Sequence, residues 1–190
     1  MNVAAAGARR RASFTGLYAF FATMIMFFGA FTSAMVVRRG ASKDWQGVPT
    51  PNLLWINTGV LALSSVVAER ARRDLQNGNR RLFNTLWAAA TVLGACFVAG
   101  QIIVWRDLQQ AGVYINSHSG GAFFYVGTVA HAAHLAGGWI AMVYLLVRAF
   151  SLQLGPGRRT AVDITTLYWH FLGVLWLYLL WLFWFWGNWE

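Results

Sequence analysis

Charged residues are scarce in this sequence. Only 11% of its 190 residues are Asp, Glu, Lys or Arg, whereas 58% are hydrophobic. So few charges cannot cover the surface of an ordinary soluble domain, and that class of protein is excluded. The six acidic residues all fall in predicted loops or near the ends of apolar runs. Because proton pumps and carriers usually need ionisable groups buried in the membrane, we do not expect this chain alone to move protons.

Residues suited to catalysis or metal binding are also sparse. The single cysteine, Cys96, excludes an intrachain disulfide and is expected to fill a close contact between helices. No nucleophile is paired with a base for hydrolysis within the membrane. His131 and His134 lie three residues apart, a spacing that allows both to coordinate one metal ion. The sequence places no cysteine or carboxylate near them to complete a set of metal ligands. We therefore expect no catalytic site, metal site or cofactor in this chain.

Five long apolar runs dominate the sequence instead. A membrane-spanning helix needs about 20 apolar residues, and four of the runs meet that length. The second is shorter, but Trp55 and the arginines from Arg70 onward are suited to anchoring its ends. Because the runs are continuous and do not alternate, they indicate helices, and the sequence predicts an all-α, polytopic membrane five-helix bundle. The predicted spans are Phe14–Val37, Leu53–Ala68, Leu82–Trp105, Ala122–Val147 and Val162–Gly187.

The basic residues predict the orientation of this bundle. Eleven of the 15 Lys and Arg residues fall in segments that share a side with the N-terminus, and four fall in the opposite loops. By the positive-inside rule the N-terminus is cytoplasmic and the C-terminus is outside. The net charge of +9 is then mainly a topology signal, so we expect membrane lipids and no nucleic acid as partners. The predicted organisation is a basic cytoplasmic segment, residues 1–13, and one membrane domain, residues 14–190, whose first helix is retained.

Three histidines are predicted to be embedded in the membrane. His131 and His134 lie in the segment TVAHAAHLAGGW, and His170 lies in the fifth span. With a helical rise of about 1.5 Å per residue, His134 and His170 differ in depth by about 9 Å, which argues against a shared haem iron. We expect these rings to face the interior and to bond with Thr128, Tyr168 or a neighbouring subunit. A stand-alone b-type haem protein is the less favoured alternative.

Neutral polar residues on the second and third spans fit the same interpretation. Asn57 lies on the second span, and Gln101 lies on the third, four residues before Trp105. Such groups within membrane helices usually form interhelical hydrogen bonds. Together with the histidines they predict a bundle that is held together by uncharged polar contacts.

Five segments resemble, in the same order, segments of subunit III of haem-copper terminal oxidases. The paired-histidine segment TVAHAAHLAGG resembles T-G-x-H-x-x-H-x-x-x-G, although the glycine precedes Thr128 as Gly127. The other matches are MFFGAF to the end of S-E-x-M-F-F, LWINTGVLALSS to L-W-x-N-T, GQIIVW to Q-x-x-E-W, and YWHFLGVLWLYLL to Y-W-H-F-V-D-x-x-W-L-F. They cover all five predicted helices, and the helix count matches the five-span bacterial form of the family.

This resemblance implies an accessory subunit rather than an enzyme in its own right. A family member of this kind belongs to a terminal oxidase of the aerobic respiratory chain, in the bacterial plasma (inner) membrane. It binds oxidase subunit I and subunit II, which hold the haem and copper, and it holds phospholipid while carrying no redox centre itself. Within it, His131, His134 and His170, with Tyr168 and Trp169, are expected to fix the packing of the fourth and fifth helices.

Three departures from the family pattern restrict what the resemblance implies. The family usually has carboxylates where this sequence has Met24, Val104 and Gly173. Those acids are linked in the family to proton uptake and sustained turnover, so these roles are not transferred to this chain. Their loss leaves open an alternative, a subunit III-like protein of a nitric oxide reductase system.

Overall fold

The computed structural model describes residues 3–41, 45–49, 51–151 and 156–188, and the side chains of residues 7–41, 45–49, 51–151 and 159–185. Over these residues the chain forms five α-helices and no strand. All five are long and apolar enough to span a membrane, which confirms the predicted all-α membrane fold. The helices are α1 (Val3–Ala41), α2 (Asn52–Gln76), α3 (Arg80–Gln110), α4 (Ser119–Phe150) and α5 (Pro156–Asn188).

The helices extend beyond the apolar runs from which they were predicted. Helix α1 already includes the residues from Val3 to residue 13, so the basic N-terminal segment is continuous with the first span. Helix α2 continues past Ala68 because its charged last turns pair internally. Glu69 accepts hydrogen bonds from the Nε atoms of Arg72 and Arg73, each at 2.8 Å. Hydropathy therefore located the spans but underestimated the length of the helices. Paired charges allow a helix to continue beyond its apolar part.

Tight turns reverse the chain between helices. Gly78 (φ 86°) and Gly112 (φ 82°) adopt the left-handed conformation just after α2 and α3. After α2, the amide of Asn79 donates to the carbonyl of Asp74 at 2.9 Å, and an equivalent bond closes α3. This arrangement is the Schellman motif, which favours glycine because a side chain is strained at positive φ. Helix α4 is preceded by the N-cap residue His118, whose Nδ1 accepts from the amide of Gly121 at 3.0 Å.

Four helices form a ring, and α1 lies outside it. Helices α2, α3, α4 and α5 each contact the next, and α5 closes the ring against α2. Helix α1 packs only on α4 and α5 within the described residues. The core holds large buried side chains from the four ring helices and from α1, among them Trp87, Trp169, Trp176, Phe28 and Phe97.

Tryptophan indoles link the ring helices by hydrogen bonds. Among the side chains that the structure describes, five indole N–H groups each donate to an acceptor on a neighbouring helix, three between α3 and α4 and two from α5 to α2. The bonds are Trp87 to Met142 O (3.0 Å), Trp105 to Thr128 Oγ1 (3.2 Å), Trp139 to Thr91 O (3.0 Å), Trp169 to Ser64 Oγ (3.1 Å) and Trp176 to Thr58 Oγ1 (3.0 Å). A tryptophan suits this position because it fills apolar volume and satisfies one polar partner.

The prediction that Cys96 fills a close helix contact is wrong. Cys96 is exposed on the surface of the bundle. Gly94 lies at the close contact between α3 and its neighbours instead. A Cβ atom at Gly94 would lie 2.9 Å from the Trp169 ring and 3.2 Å from the Trp139 ring. Helix α3 is thus rotated so that Gly94, rather than the thiol, faces α4 and α5.

Candidate functional site

Asn57, Thr128 and Trp105 form interhelical contacts in the middle of the ring. Asn57 on α2 is buried, and its Nδ2 donates to the Phe97 carbonyl on α3 at 3.0 Å. A side chain at Gly100 would clash with Asn57, so the two helices approach closely here. The Trp105 indole donates to Thr128 Oγ1, which in turn donates to a carbonyl of its own helix. These residues join α2 to α3 and α3 to α4.

His131 lies in the same layer but does not make the expected bond to Thr128. Its ring is 1% exposed and stacks on Trp176 with 5.3 Å between centroids and 29° between planes. Neither ring nitrogen has a hydrogen-bond partner in the described part of the chain. The reason is competition, because the Thr128 hydroxyl is occupied by Trp105 and by the helix backbone. Gln101 is likewise buried without a partner, contrary to the interhelical bond expected of it.

His134 lies where α1, α4 and α5 meet. Its Nδ1 lies 2.7 Å from the Ala130 carbonyl, a contact within α4. Tyr168 Oη on α5 donates to the backbone carbonyl of His134 at 3.0 Å, so Tyr168 bonds to the main chain rather than to the imidazole. From α1, the rings of Phe20 and Phe28 lie with centroids 6.3 Å and 6.1 Å from that of His134. His134 therefore contacts α1 through its ring and α5 through its backbone carbonyl.

His170 faces a third environment. Its Nε2 lies 3.8 Å from Glu69 Oε2 on α2. The preceding residue, Trp169, is buried and donates to Ser64 Oγ on α2. The three predicted histidines thus face separate surroundings, and no group of three or more His, Cys, Asp or Glu side chains in the described residues could hold a metal ion.

An ionic cluster, Arg10, Glu69, Arg72, Asp163 and His170, joins α1, α2 and α5 at the end of the bundle where α1 begins. Arg72 donates to Glu69 at 2.8 Å through both Nε and Nη2, and to Asp163 Oδ1 at 3.3 Å. Arg10 Nη2 lies 3.6 Å from Asp163 Oδ2. We call this group the Glu69 cluster. Sequence reasoning did not predict it, although the i, i+3 spacing of Glu69 and Arg72 was a visible signal.

A surface groove runs between α2 and α5 next to this cluster. It has a volume of about 220 Å³, and its walls are almost entirely apolar. Gly173 leaves it open, because a Cβ atom there would meet only Ser65 Oγ, at 3.5 Å. His170 lines this α2–α5 groove and also a second recess of about 260 Å³ formed by the Glu69 cluster. The groove therefore has an apolar part and a charged end. Its lining residues are Thr58, Leu61, Ala62, Ser65, His170, Gly173, Val174, Trp176 and Leu177.

The positions of the missing family carboxylates have two kinds of surroundings. Met24 is 2% exposed and Val104 is 0% exposed, and both belong to the hydrophobic core. Gly173 instead lines the groove. At two of the three positions an apolar side chain therefore fills core volume, and at the third the absent side chain leaves space.

Comparison with known proteins identifies the family of this chain. The family model for cytochrome c oxidase subunit III matches residues 14–188. A probable cytochrome c oxidase subunit 3 of Nocardia farcinica is 33% identical over 159 residues, covering 82% of this chain and 78% of the relative. The cytochrome c oxidase subunit 3 of Corynebacterium diphtheriae is 32% identical over 175 residues, covering 86% and 83%. A probable subunit 3 of Mycobacterium bovis is 30% identical over 168 residues, with the same coverage.

These matches confirm the resemblance seen in the sequence motifs. With five helices able to span a membrane, the chain is a multi-pass membrane protein. It belongs to the cytochrome c oxidase subunit III family and is an accessory subunit of a haem-copper oxidase.

Proposed function

We propose that this chain is a scaffold that binds oxidase subunit I, with subunit II, in a bacterial plasma membrane and has no redox centre of its own. The family match over residues 14–188 carries this proposal. The geometry supports it, because the histidines and indoles inside the ring take part in helix packing. The test is purification of the complex in mild detergent. Co-purification of subunits I and II, with all haem and copper assigned to them, is expected, whereas a haem retained by the isolated chain would overturn the proposal.

We propose that His134 and Tyr168 stabilise the packing of α1, α4 and α5 against one another. The Tyr168 hydroxyl is the only atom of that side chain able to bond the His134 carbonyl, so Tyr168→Phe removes one interhelical bond at constant ring volume. A bond of this kind in a membrane protein contributes about 0.6 kcal/mol on average. His134→Leu should cost more, because two phenylalanine rings of α1 pack on the imidazole. We expect both variants to lower the apparent Tm of the complex and its subunit III content, with Tyr18→Phe, an exposed tyrosine on α1, as the matched control.

We further propose that the α2–α5 groove holds a phospholipid. Its apolar walls suit an acyl chain, and the basic side chains Arg10 and Arg72 of the Glu69 cluster lie at the end where a headgroup would be. Gly173→Leu would fill the groove, whereas Gly59→Leu adds the same side chain on α2 at an exposed glycine with open space around it. Native mass spectrometry of the complex should show fewer bound phospholipids for Gly173→Leu only. Equal lipid content in the two variants would contradict the assignment.

The N-terminus is proposed to lie in the cytoplasm. The Glu69 cluster supports the alternating topology behind this proposal, because residues near the start of α1, the end of α2 and the start of α5 meet at one end of the bundle. Most basic residues fall at that same end of the helices, as the positive-inside rule requires of the cytoplasmic side. A reporter enzyme that works only in the cytoplasm should be active when it is fused to the N-terminus, and one that works only in the periplasm should be inactive there. The opposite pattern would reverse the assignment.

Association with a nitric oxide reductase is the second candidate. The observation that favours it is the loss of three family carboxylates at Met24, Val104 and Gly173. The same purification separates the two candidates, since the partner would then be a nitric oxide reductase subunit rather than oxidase subunit I.

A further inference from the structure

Two buried side chains near the centre of the ring have no polar partner within the described part of the chain. Gln101 on α3 is 3% exposed and His131 on α4 is 1% exposed. Among the residues that the structure describes, neither amide atom of Gln101 and neither ring nitrogen of His131 is hydrogen-bonded. Unpaired polar groups are costly in a hydrocarbon environment, where bulk water cannot satisfy them. Two such residues on adjacent helices therefore call for a common physical reason.

Gln101 and His131 lie at nearly the same depth. The bond from Trp105 to Thr128 fixes the register of the antiparallel helices α3 and α4. From that bond, four residues back along α3 lead to Gln101, a step of about 6 Å. Three residues forward along α4 lead to His131, a step of about 4.5 Å in the same direction. The two side chains thus occupy adjacent helices at one level of the bundle.

Helix α5 provides an independent measure of their depth. The Trp176 ring stacks on His131 at 5.3 Å. The same ring meets Phe97 edge to face, with 5.2 Å between centroids. Phe97 lies one helical turn from Gln101 on α3. Trp176 therefore lies at this same level of the bundle, against His131 and against a residue one turn from Gln101.

The neighbouring polar groups are already committed to other partners. The Trp105 indole donates to Thr128, and the Trp176 indole donates to Thr58 Oγ1. The Asn57 amide donates to the Phe97 carbonyl. Of the polar groups that the structure describes at this level between α3 and α4, the Gln101 amide, with a donor and an acceptor end, and the His131 imidazole are unpaired. A neutral imidazole also has one donor and one acceptor.

We propose that Gln101 and His131 hold an ordered water molecule between α3 and α4, beside Trp176. Water donates two hydrogen bonds and accepts two, which matches the unpaired donors and acceptors of both side chains. Buried waters in proteins typically make about three such bonds to otherwise unsatisfied groups. The site binds water as a structural ligand and belongs to this chain alone, so it does not depend on which partner subunits the chain binds.

Radiolytic hydroxyl-radical labelling of the unmodified complex tests the proposal directly, because radicals formed from a bound water oxidise the side chains around it. We expect oxidation at His131 or Trp176 despite their burial. Trp87 and Trp169 are the matched controls, since both are 0% exposed and their indoles donate to protein acceptors. Labelling of His131 and Trp176 no greater than that of Trp87 would overturn the proposal.

A double-variant cycle tests whether the two residues share one partner. Gln101→Leu and His131→Phe each leave the other residue and the water with one partner fewer, whereas the double variant removes all of the polar groups. The double variant should therefore lose less apparent Tm than the sum of the single variants. In the control cycle, Gln101→Leu is combined with Thr166→Val, another buried residue without a partner, ten residues from Trp176 along α5. That pair should be additive.

Each combination of results from the labelling and the double-variant cycle either supports or overturns the proposal. Labelling with a non-additive cycle supports the shared water. A non-additive cycle without labelling indicates a direct bond between Gln101 and His131 and overturns the proposal. An additive cycle overturns it as well, whatever the labelling, because the residues then act independently.

Discussion

Replacing Gly94 by alanine should destabilise the bundle more than the loss of any single hydrogen bond. An added Cβ atom would lie 2.9 Å from Trp169 and 3.2 Å from Trp139, so both rings must move. Both are also hydrogen-bonded, Trp169 to Ser64 on α2 and Trp139 to Thr91 on α3. One methyl group therefore disturbs contacts among all four ring helices.

The expected magnitude follows from these contacts. Overpacking a well-filled core by about one methyl group typically costs about 1–3 kcal/mol. Weakening two interhelical hydrogen bonds, at about 0.6 kcal/mol each, adds about 1 kcal/mol. Relative to a Gly→Ala change at an open site, the free energy of unfolding should therefore fall by about 2–4 kcal/mol. For a chain of this size, about 1 kcal/mol corresponds to about 2–4 °C in Tm, so a loss of at least about 4 °C is expected.

The assay is thermal unfolding of the purified complex, compared with a control that shares the change in helix propensity. Gly59→Ala adds the same methyl group on α2 at an exposed site with nothing within 4 Å. Both variants replace a helical glycine by alanine and so gain the same helix propensity. The difference between their Tm values therefore measures the steric contact at Gly94. The argument fails if Gly94→Ala unfolds at the same temperature as Gly59→Ala or above it.

Four further substitutions have defined outcomes in the same thermal assay. Arg72→Gln should cost about 1–3 kcal/mol, because the guanidinium donates to carboxylates of both α2 and α5, and the loss should shrink in high salt. Gly100→Ala should cost about 1–2 kcal/mol by displacing the buried Asn57 amide. Val104→Glu should prevent assembly or cost several kcal/mol, because that position is 0% exposed, whereas Gly173→Asp should be tolerated in the open groove.

Each of these changes has a result that would contradict its physical reason. For Arg72→Gln the matched control is Arg106→Gln, an exposed arginine near the end of α3. Equal Tm losses in the two would mean that the Glu69 cluster contributes nothing specific. An unchanged Tm for Gly100→Ala would show that Asn57 can rotate away freely. A greater loss for Gly173→Asp than for Val104→Glu would show that burial does not decide where a carboxylate is accepted.

Hydropathy predicted the number of helices but not their rotation. The length of an apolar run is set by bilayer thickness, so five runs gave five helices. A run that is apolar on all sides gives little signal for which face turns inward. This is why the segment around Cys96 was correctly predicted as helical while the wrong residue was assigned to the helix contact. Only the neighbouring rings of Trp139 and Trp169 show that Gly94 faces inward.

The hydrogen-bond partners could not be predicted for a related reason. Thr128 and His131 are three residues apart on one helix, so local spacing favoured a bond between them. The Thr128 hydroxyl accepts instead from Trp105, which lies 23 residues away in sequence. Competition between local and interhelical partners depends on the register of two helices, and a single segment does not contain that information. The resemblance to subunit III gave the family but not these partners.

The structure separates its charged groups from its neutral ones according to depth. The Glu69 cluster gathers paired charges near the ends of α1, α2 and α5. Across the middle of the ring, indoles, hydroxyls and amides connect the helices, while Met24 and Val104 fill core positions with apolar volume. Moving an unpaired carboxylate into hydrocarbon is far costlier than placing an indole N–H against a hydroxyl. The helices of the ring are therefore joined by neutral polar groups and apolar packing, while the paired charges of the Glu69 cluster stay near the helix ends.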